Sequence, residues 1–445
     1  MPELLELAQR IAAAARPGEQ VEAYVARERG TDVRVFEGDV ESLSFAQSAG
    51  VGVRVVVGGR QGFAYAGDLD ERLARDALEE ARDNARFATE DEHAGLPVPD
   101  GVAPAHLELW REETVSTDDK VALALELERR VRAADRRIRQ VVSADYGDGQ
   151  VEVAVASSLG ISAVSRRSGC YVSADAVAGE GPETQTATGY SVGRAFSDLD
   201  LDKAAGDAVE RATRLLGARK PPGATLAVVL DRRVTATLLA ILAGTLSGEE
   251  VAKRRSLFTD RLGEEVAATS VTLLEDPTNP LAYGASPYDA EGLACRPTRL
   301  IEGGRLAAYL YDTYSARLAR ASSTASAVRG GYASTPSVGA RALSLEPGEL
   351  GQAELVRYVG EGLFVQQVSG VHSGVNPVSG DFSVGAEGLM IRDGALAEPV
   401  REITIASTIQ RMLQHVLAVG ADVEWLPSAA AGVSLAIGEV AMSGA

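Results

Sequence analysis

Apolar and polar residues alternate along two stretches of the first 220 residues in the pattern of half-buried β-strands. The first stretch includes "VEAYVARE" and "VGVRVVVGG", and the second, after residue 137, includes "QVEVAVASS" and "CYVSADAVAGE". Glycine and polar residues interrupt each stretch, so we predict five short strands in each. A helical pattern precedes each stretch and an Ala-rich helix follows it.

The two stretches share one order of elements: helix, strands, the tripeptide DLD and an Ala-rich helix. DLD occurs at 68–70 and at 198–200, each time after a strand with a Gly-aromatic pattern. This order predicts sheet-and-helix layers in one N-terminal domain, with a possible internal duplication. The alternative to a duplication is that short Ala-rich helices resemble one another by chance.

The segment "GARKPPGA" at 217–224 is the best linker signal, because a double proline separates a finished helix from a new strand. We therefore predict an N-terminal domain over 1–219 and a C-terminal domain over 220–445. After the strand "TLAVVLD", the run "LAILAGTLSGEE" is apolar nearly all round and predicts a buried helix.

The rest of the C-terminal half consists mostly of short strand patterns with glycine at the turns, such as "IEGGRL" and "IRDGAL". A last helix is predicted over "ASTIQRMLQHVLAVG". The predicted fold class is α+β: a layered N-terminal domain followed by a mainly β C-terminal domain of barrel or sandwich type.

Composition and charge restrict the function classes. The formal net charge is −19, and no block of basic residues offsets it, so we expect no nucleic-acid binding. The two cysteines, Cys170 and Cys295, lie far apart and indicate neither a disulfide framework nor a zinc ribbon. No apolar run approaches the roughly 20 residues of a membrane span. We expect a cytoplasmic protein.

Residue patterns alone mark no catalytic constellation. None of the four histidines lies at metal-ligand spacing from another, and HExxH and HExxxH are absent. The Gly/Ser-rich segment "VSGVHSGVNPVSGDFSVGAEG" could form a Ser/His/Asp site from His372, Asp381 and Ser383. Tight turns and backbone capping explain the same residues without catalysis. The carboxylates Asp276, Asp289 and Glu291 in "EDPTNP" and "SPYDAEG" could bind a hard cation, but solvated turns explain them equally without a metal.

Several long motifs of the C-terminal half resemble the TldD/PmbA family, specifically its TldE (PmbA) branch. They are, in order, "SPYDAEG", "RLIEGGRLAAYLYDTYSARL", "SGDFSVGAEGLMIRDGALAEPVREITIAST" and "GEVAMSG". The resemblance implies a cytoplasmic metalloprotease of two related subunits. The TldD subunit carries HExxxH on a helix and completes its zinc site with a C-terminal cysteine, whereas TldE is the partner without that site.

The resemblance places Leu239 at the position of the first zinc-binding histidine, Ala240 at that of the glutamate and Gly244 at that of the second histidine. The C-terminal segment also lacks cysteine. The resemblance therefore implies that this chain has no catalytic residue and no bound metal. It implies zinc in a TldD-type partner subunit, and unfolded or modified peptides as substrates.

One segment is predicted to contact the partner or the peptide, namely the Gly-rich loop with His372, Asn376, Asp381, Phe382 and Ser383. The TldE branch usually has arginine where this chain has Val384, which suggests a specialised partner or peptide. Two alternatives remain open. The chain could be a stand-alone homodimer that binds peptides, or an autonomous hydrolase that uses the His372 loop.

Overall fold

The structure, a computed structural model, describes residues 1–112 and 114–444. Residue 445, the end of the predicted C-terminal domain, lies outside this range. The predicted α+β fold class is confirmed, with a layered N-terminal part and a barrel in the C-terminal part. Within the described residues, no helix combines the length and apolar character needed to cross a membrane.

The N-terminal part is one six-stranded antiparallel sheet in the order β3-β2-β1-β4-β5-β6. Its elements are α1 Pro2–Ala12, β1 Glu19–Phe36, β2 Asp39–Val57, β3 Arg60–Ala66, α2 Glu71–Phe87, α3 Thr117–Ala134, β4 Ile138–Ser157, β5 Ser162–Ala178, β6 Gln185–Gly193 and α4 Leu201–Thr213.

The prediction of five short strands in each stretch is wrong, because each stretch forms three strands and most of these are long. Glycines that were expected to interrupt the strands instead continue the extended backbone. Gly30 of β1 lies opposite Gly149 of β4, which lies opposite Gly169 of β5. A Cβ atom on Gly30 would lie 2.6 Å from the carbonyl oxygen of Asp148. These glycines therefore allow neighbouring strands to approach closely, and they do not form turns.

The predicted repetition of elements is present. Each unit has the order helix, three strands, helix, and the first strands of the two units, β1 and β4, pair at the centre of the sheet. Asp70 caps α2 by accepting a hydrogen bond from the amide of Leu73 at 3.0 Å, and Asp200 caps α4 in the same way from Lys203 at 2.9 Å. The DLD tripeptides thus mark equivalent helix starts.

The C-terminal part contains many short elements around a barrel. They are β7 Ala224–Leu230, α5 Arg232–Thr245, α6 Gly248–Ala252, β8 Leu273–Glu275, β9 Thr298–Glu302, β10 Arg305–Leu306, α7 Thr313–Ala319, β11 Ala327–Val328, β12 Ser337–Val338, β13 Leu343–Leu345, α8 Gln352–Val359, β14 Gly362–Ser369, α9 Val371–Gly374, β15 Asp381–Arg392, β16 Ala395–Thr408, α10 Ile409–Gln414, β17 Val416–Val419, β18 Glu424–Trp425, β19 Ala431–Gly432 and β20 Leu435–Ser443.

Five strands close the barrel in the order β16-β15-β14-β7-β20, because β16 also pairs with β20. Its interior is aliphatic, with Val228, Leu363, Ile405 and Ile437 among the buried side chains. Among the described barrel strands, β7 and β14 are paired in parallel and the other neighbouring pairs are antiparallel. Closure removes free strand edges from this part of the sheet.

The last helix is shorter than predicted. The predicted helix covered 406–420, but α10 spans only Ile409–Gln414. Thr408 ends β16 and caps α10 by accepting a hydrogen bond from the amide of Arg411 at 3.2 Å. The Val-Leu-Ala-Val run that follows is extended and pairs with β20 as β17. Tertiary pairing therefore overrides the helical pattern at both ends.

A buried ionic network joins the N-terminal sheet to the C-terminal part. Arg54 of β2 contacts Glu22 of β1 at 2.6 Å and Glu291 at 2.9 Å, and Arg329 contacts Glu22 at 2.6 Å. All four side chains are at most 4% exposed. The expectation that Asp289 and Glu291 are solvated turn residues is wrong, because both are buried.

Candidate functional site

Helix α5 and the Gly-rich loop lie at the same end of the barrel. The strands β7 and β14 are parallel, with Leu230 opposite Val365, and α5 follows β7 while the loop follows β14. The amide of Asp231 also donates to the carbonyl of Val365 at 2.9 Å. The carboxyl ends of parallel strands meet at one edge, where α/β proteins commonly bind ligands.

Helix α5 is held by its cap and by one apolar face. Asp231 accepts a hydrogen bond from the amide of Arg233 at 3.0 Å and pairs with Arg211 of α4 at 2.9 Å. Leu239 is 1% exposed and packs into the core. Ala240 and Gly244 are exposed on another face, where a Cβ atom on Gly244 would meet nothing within 4 Å. The prediction of a helix buried all round is therefore wrong for this face.

The residues at the family's zinc positions do not fit a zinc ion. Zinc in proteins is bound by side-chain sulfur, nitrogen or carboxylate oxygen. Leu239, Ala240 and Gly244 have no such atoms, and Leu239 is directed into the core. Across residues 1–112 and 114–444, no three or more His, Cys, Asp or Glu side chains are grouped so that they could hold a metal.

The Gly-rich loop is ordered by hydrogen bonds to its own backbone. Asn376 accepts from the amides of Val378 and Ser379 through its side chain, and its own amide donates to the carbonyl of Asp381 at 2.9 Å. The Asp381 carboxylate accepts from the hydroxyl of Ser379 at 2.7 Å. Asn376 and Asp381 therefore stabilise the turn.

The three side chains of the alternative Ser/His/Asp site are not connected. His372, Asp381 and Ser383 are all exposed. In the part of the chain that the structure describes, no hydrogen bond or ion pair joins His372 to either of the others. The loop thus presents polar side chains to solvent without the contacts between nucleophile and base that a hydrolase needs.

Two loop-flanking residues face the barrel interior. Phe382 is 5% exposed, so among the five predicted contact residues it belongs to the core. Val384, at the position where the TldE branch usually has arginine, is 1% exposed. This difference lies in the barrel core rather than on a surface that a partner or peptide could contact. It gives no support to the hypothesis of a specialised partner.

A cavity of about 220 Å³ lies beside α5 and β14. Arg211 and Arg233 line it, and both are ion-paired, with Asp231 and Asp207 respectively. The guanidinium of Arg233 also lies 4.2 Å from the ring centre of Tyr190. Val368, the first residue of the Gly-rich segment, also lines it, but none of the five predicted contact residues does. The sequence patterns did not predict this cavity, because Arg211 lies on α4 and Arg233 on α5, and only the fold brings the two helices together.

Family models match three segments of the chain. They are described as PmbA/TldA metallopeptidase domain 1 over 21–87, central domain over 110–216 and C-terminal domain over 223–444. Among individual relatives, the metalloprotease PmbA of Escherichia coli O157:H7 is 28% identical over 406 residues. That alignment covers 91% of this chain and 88% of the relative.

Solved structures share the fold along the whole chain. A putative modulator of a DNA gyrase from Thermotoga maritima superposes with a TM-score of 0.89 at 24% identity and covers 98% of this chain and 99% of its own. TldE from Thermococcus kodakarensis superposes with a TM-score of 0.87 at 22% identity, over 100% of both chains. These structures share the fold, and the family models together with the PmbA relatives show that the chain belongs to the TldD/PmbA family of metalloproteases and is of its PmbA type.

Proposed function

We propose that this chain is the non-catalytic, TldE-type subunit of a cytoplasmic zinc metallopeptidase, in which a TldD-type partner supplies the metal. The complex processes unfolded or modified peptides. One observation carries the proposal: helix α5 is retained with its cap and core contacts, but Leu239, Ala240 and Gly244 offer no zinc ligand and no base.

The local geometry supports a scaffold role. The face of α5 with Ala240 and Gly244 is exposed and has no bulky side chain at these positions, so another molecule can approach the helix backbone closely. The Gly-rich loop leaves the same end of the barrel and exposes His372, Asn376, Asp381 and Ser383. These two surfaces are where a partner subunit or its peptide makes contact in this proposal.

The test is peptide hydrolysis and zinc content of the purified chain, alone and mixed with a TldD-type subunit of the same genome. We expect no zinc and no turnover for the chain alone. In the mixture we expect turnover of an unfolded peptide that a chelator abolishes and added zinc restores. Turnover by the chain alone, or a mixture no more active than the TldD-type subunit by itself, contradicts the proposal.

The His372→Ala variant separates the proposal from the autonomous-hydrolase alternative. A catalytic histidine contributes orders of magnitude to the rate, so its loss would abolish any activity of an autonomous enzyme. We expect the variant to leave the order of magnitude of the mixture's turnover unchanged. A stand-alone, peptide-binding homodimer predicts instead that mixing creates neither activity nor a heteromeric species in size-exclusion chromatography.

A further inference from the structure

A second cavity, of about 200 Å³, lies between the N-terminal sheet and the C-terminal part, away from α5 and the Gly-rich loop. Three arginines line it: Arg167 of β5, and Arg329 and Arg341 of the C-terminal part. We call this cavity the arginine recess. Arginine is the side chain best suited to hold planar anions, because its guanidinium offers a fork of donors.

Arg167 stands on the sheet face that the C-terminal part covers. It lies in register with Val151 of β4, which lies in register with Glu28 of β1, so all three side chains share one face. Among the described residues, Arg167 forms no ion pair or side-chain hydrogen bond, and its side chain is partly accessible to solvent although protein surrounds the guanidinium in the recess. Reduced hydration lowers the pKa of Arg167, and the nearby charge of Arg341 adds to this effect.

The other two arginines also retain unused donors. Arg341 donates from Nη2 to the carbonyl of Ala327 at 3.0 Å, whereas its Nε is buried without a partner in the described part of the chain. Arg329 pairs with Glu22 through Nη2 and lies over the ring of Tyr24, but its Nε and Nη1 are likewise buried without a partner. These donors have no accessible surface, so they add positive charge at the wall of the recess rather than direct hydrogen bonds to a ligand.

The two carboxylates of the recess do not neutralise Arg167 and Arg341. Glu28 is exposed and makes no ion pair among residues 1–112 and 114–444. Asp289 accepts hydrogen bonds from the backbone amides of Glu291, Leu293 and Ala327. Burial, together with the charge of Glu291, raises the pKa of Asp289, which weakens its negative charge further. Among the described residues, therefore, neither Arg167 nor Arg341 forms an ion pair, although Glu28 lies near enough to act on the charge of Arg167.

We propose that the arginine recess binds the carboxylate of a peptide, with Arg167 and Arg341 as the cations that hold it. The volume accommodates a carboxylate and a few further atoms, and bidentate contacts between guanidinium and carboxylate give such a site its specificity. The carboxylate belongs either to the carboxyl terminus of the peptide or to an Asp or Glu side chain.

The experiment is equilibrium binding of three alanine pentapeptides, each with a neutral amino-terminal fluorophore, to the purified full chain. One has a free carboxyl terminus, one is the amide, and one is the amide with a central glutamate. We expect about ten- to hundredfold weaker binding of the plain amide than of at least one acid-bearing peptide. The tighter acid identifies the carboxylate source. Equal binding of all three peptides, or no binding at millimolar concentration, overturns the proposal.

Adjacent arginines provide a matched pair of variants. Arg167→Gln is expected to remove the preference for the acid-bearing peptide. Arg166→Gln is expected to keep it, because Arg166 points to the opposite face of the sheet, where it lies 5.1 Å from the ring centre of Trp110. Equal effects of the two substitutions overturn the assignment. Thermal unfolding checks that both variants fold.

This inference rests on the proposed function only for the peptide class of the ligand. The measurement uses the chain alone and requires neither zinc nor the TldD-type partner. If the parent protein shows no acid preference but the mixture hydrolyses peptides, the recess proposal is rejected and the proposed function stands. Acid-selective binding by the chain, without hydrolysis in the mixture, would support the recess and reject the proposed function.

Discussion

Replacement of Glu22 by glutamine is expected to lower the free energy of unfolding by about 3–5 kcal/mol, the usual cost of removing one partner from a buried ion pair. Glutamine keeps the shape of the side chain but removes the charge that Arg54 and Arg329 share. Arg329 would then have no carboxylate within ion-pair distance among the described residues, and a buried, unpaired guanidinium is strongly unfavourable. The loss would weaken the contact between the N-terminal sheet and the C-terminal part.

The network also predicts a pH dependence of stability. Burial opposes the charged form of Glu22, but attraction to Arg54 and Arg329 outweighs burial and holds its pKa below the ordinary value of 4.5. A carboxyl group with a lowered pKa contributes stability that is present above its unfolded pKa and is lost as the pH falls through the folded pKa. Between neutral pH and strong acid, the Glu22→Gln variant is therefore expected to lose less stability than the parent protein.

Denaturant unfolding followed by tryptophan fluorescence measures both effects, with Asp76→Asn as the matched control. Asp76 pairs with Arg72 at 3.8 Å on the exposed side of α2, where both side chains are at least 67% exposed. Such a surface pair contributes less than about 1 kcal/mol. A Glu22→Gln variant no less stable than Asp76→Asn would contradict the role of the network.

The order of elements was predictable because it follows from local patterns. Hydrophobic alternation predicted the strands, and the DLD tripeptides predicted equivalent helix starts that Asp70 and Asp200 confirm as caps. Strand length was not predictable from glycine positions. Gly30 and Gly149 face each other across two strands, and this pairing depends on residues more than 100 positions apart. A single strand contains no signal that separates such a glycine from a turn glycine.

The burial of charged side chains could not be predicted from local patterns either. Glu291 lies in a segment typical of a turn, and its partner Arg54 is 237 positions away. The arginine recess combines Arg167 with Arg341 in the same way, from a strand of the N-terminal sheet and a loop of the C-terminal part. Alternation along β5 could have shown only that Arg166 and Arg167 face opposite sides of the sheet.

The only part of the candidate site that could be predicted from the sequence was the part that the family resemblance covers. The resemblance supplied Leu239, Ala240 and Gly244 as positions without zinc ligands, and the structure adds that Leu239 is buried whereas the other two are exposed. That separation matters for function. One side of the helix packs in the core, and the side with Ala240 and Gly244 is open, as the proposed scaffold role requires. The hydrophobic pattern alone predicted a helix that is buried all round.

Replacement of Gly189 by alanine is expected to lower the free energy of unfolding by about 3 kcal/mol, the upper part of the usual range for overpacking. In β6, a Cβ atom on Gly189 would lie 2.0 Å from the carbonyl oxygen of Ala204 and 2.4 Å from the amide nitrogen of Ala208, both in the backbone of α4. Backbone atoms cannot rotate away as a flexible side chain can, so helix and sheet would have to separate.

The first unit contains the same contact, which makes the prediction a test of the duplication as well. A Cβ atom on Gly62 of β3 would lie 2.0 Å from the carbonyl oxygen of Ala81 and 2.4 Å from the amide nitrogen of Ala85 in α2. Gly62→Ala should therefore destabilise the protein by a similar amount. A large cost at only one of the two glycines would show that the two helix–sheet contacts are not equivalent.

The matched control is Gly206→Ala, which adds the same methyl group to α4 on its exposed side. Nothing lies within 4 Å of a Cβ atom at this position. Alanine favours the helix interior over glycine by about 0.5–1 kcal/mol, so this variant should be more stable than the parent protein. The measurement is the denaturant concentration at the unfolding midpoint of each of the three variants, compared with that of the parent protein. The three substitutions add the same methyl group, so a loss at Gly189 and Gly62 beside a gain at Gly206 would assign the loss to the short distance between strand and helix backbones.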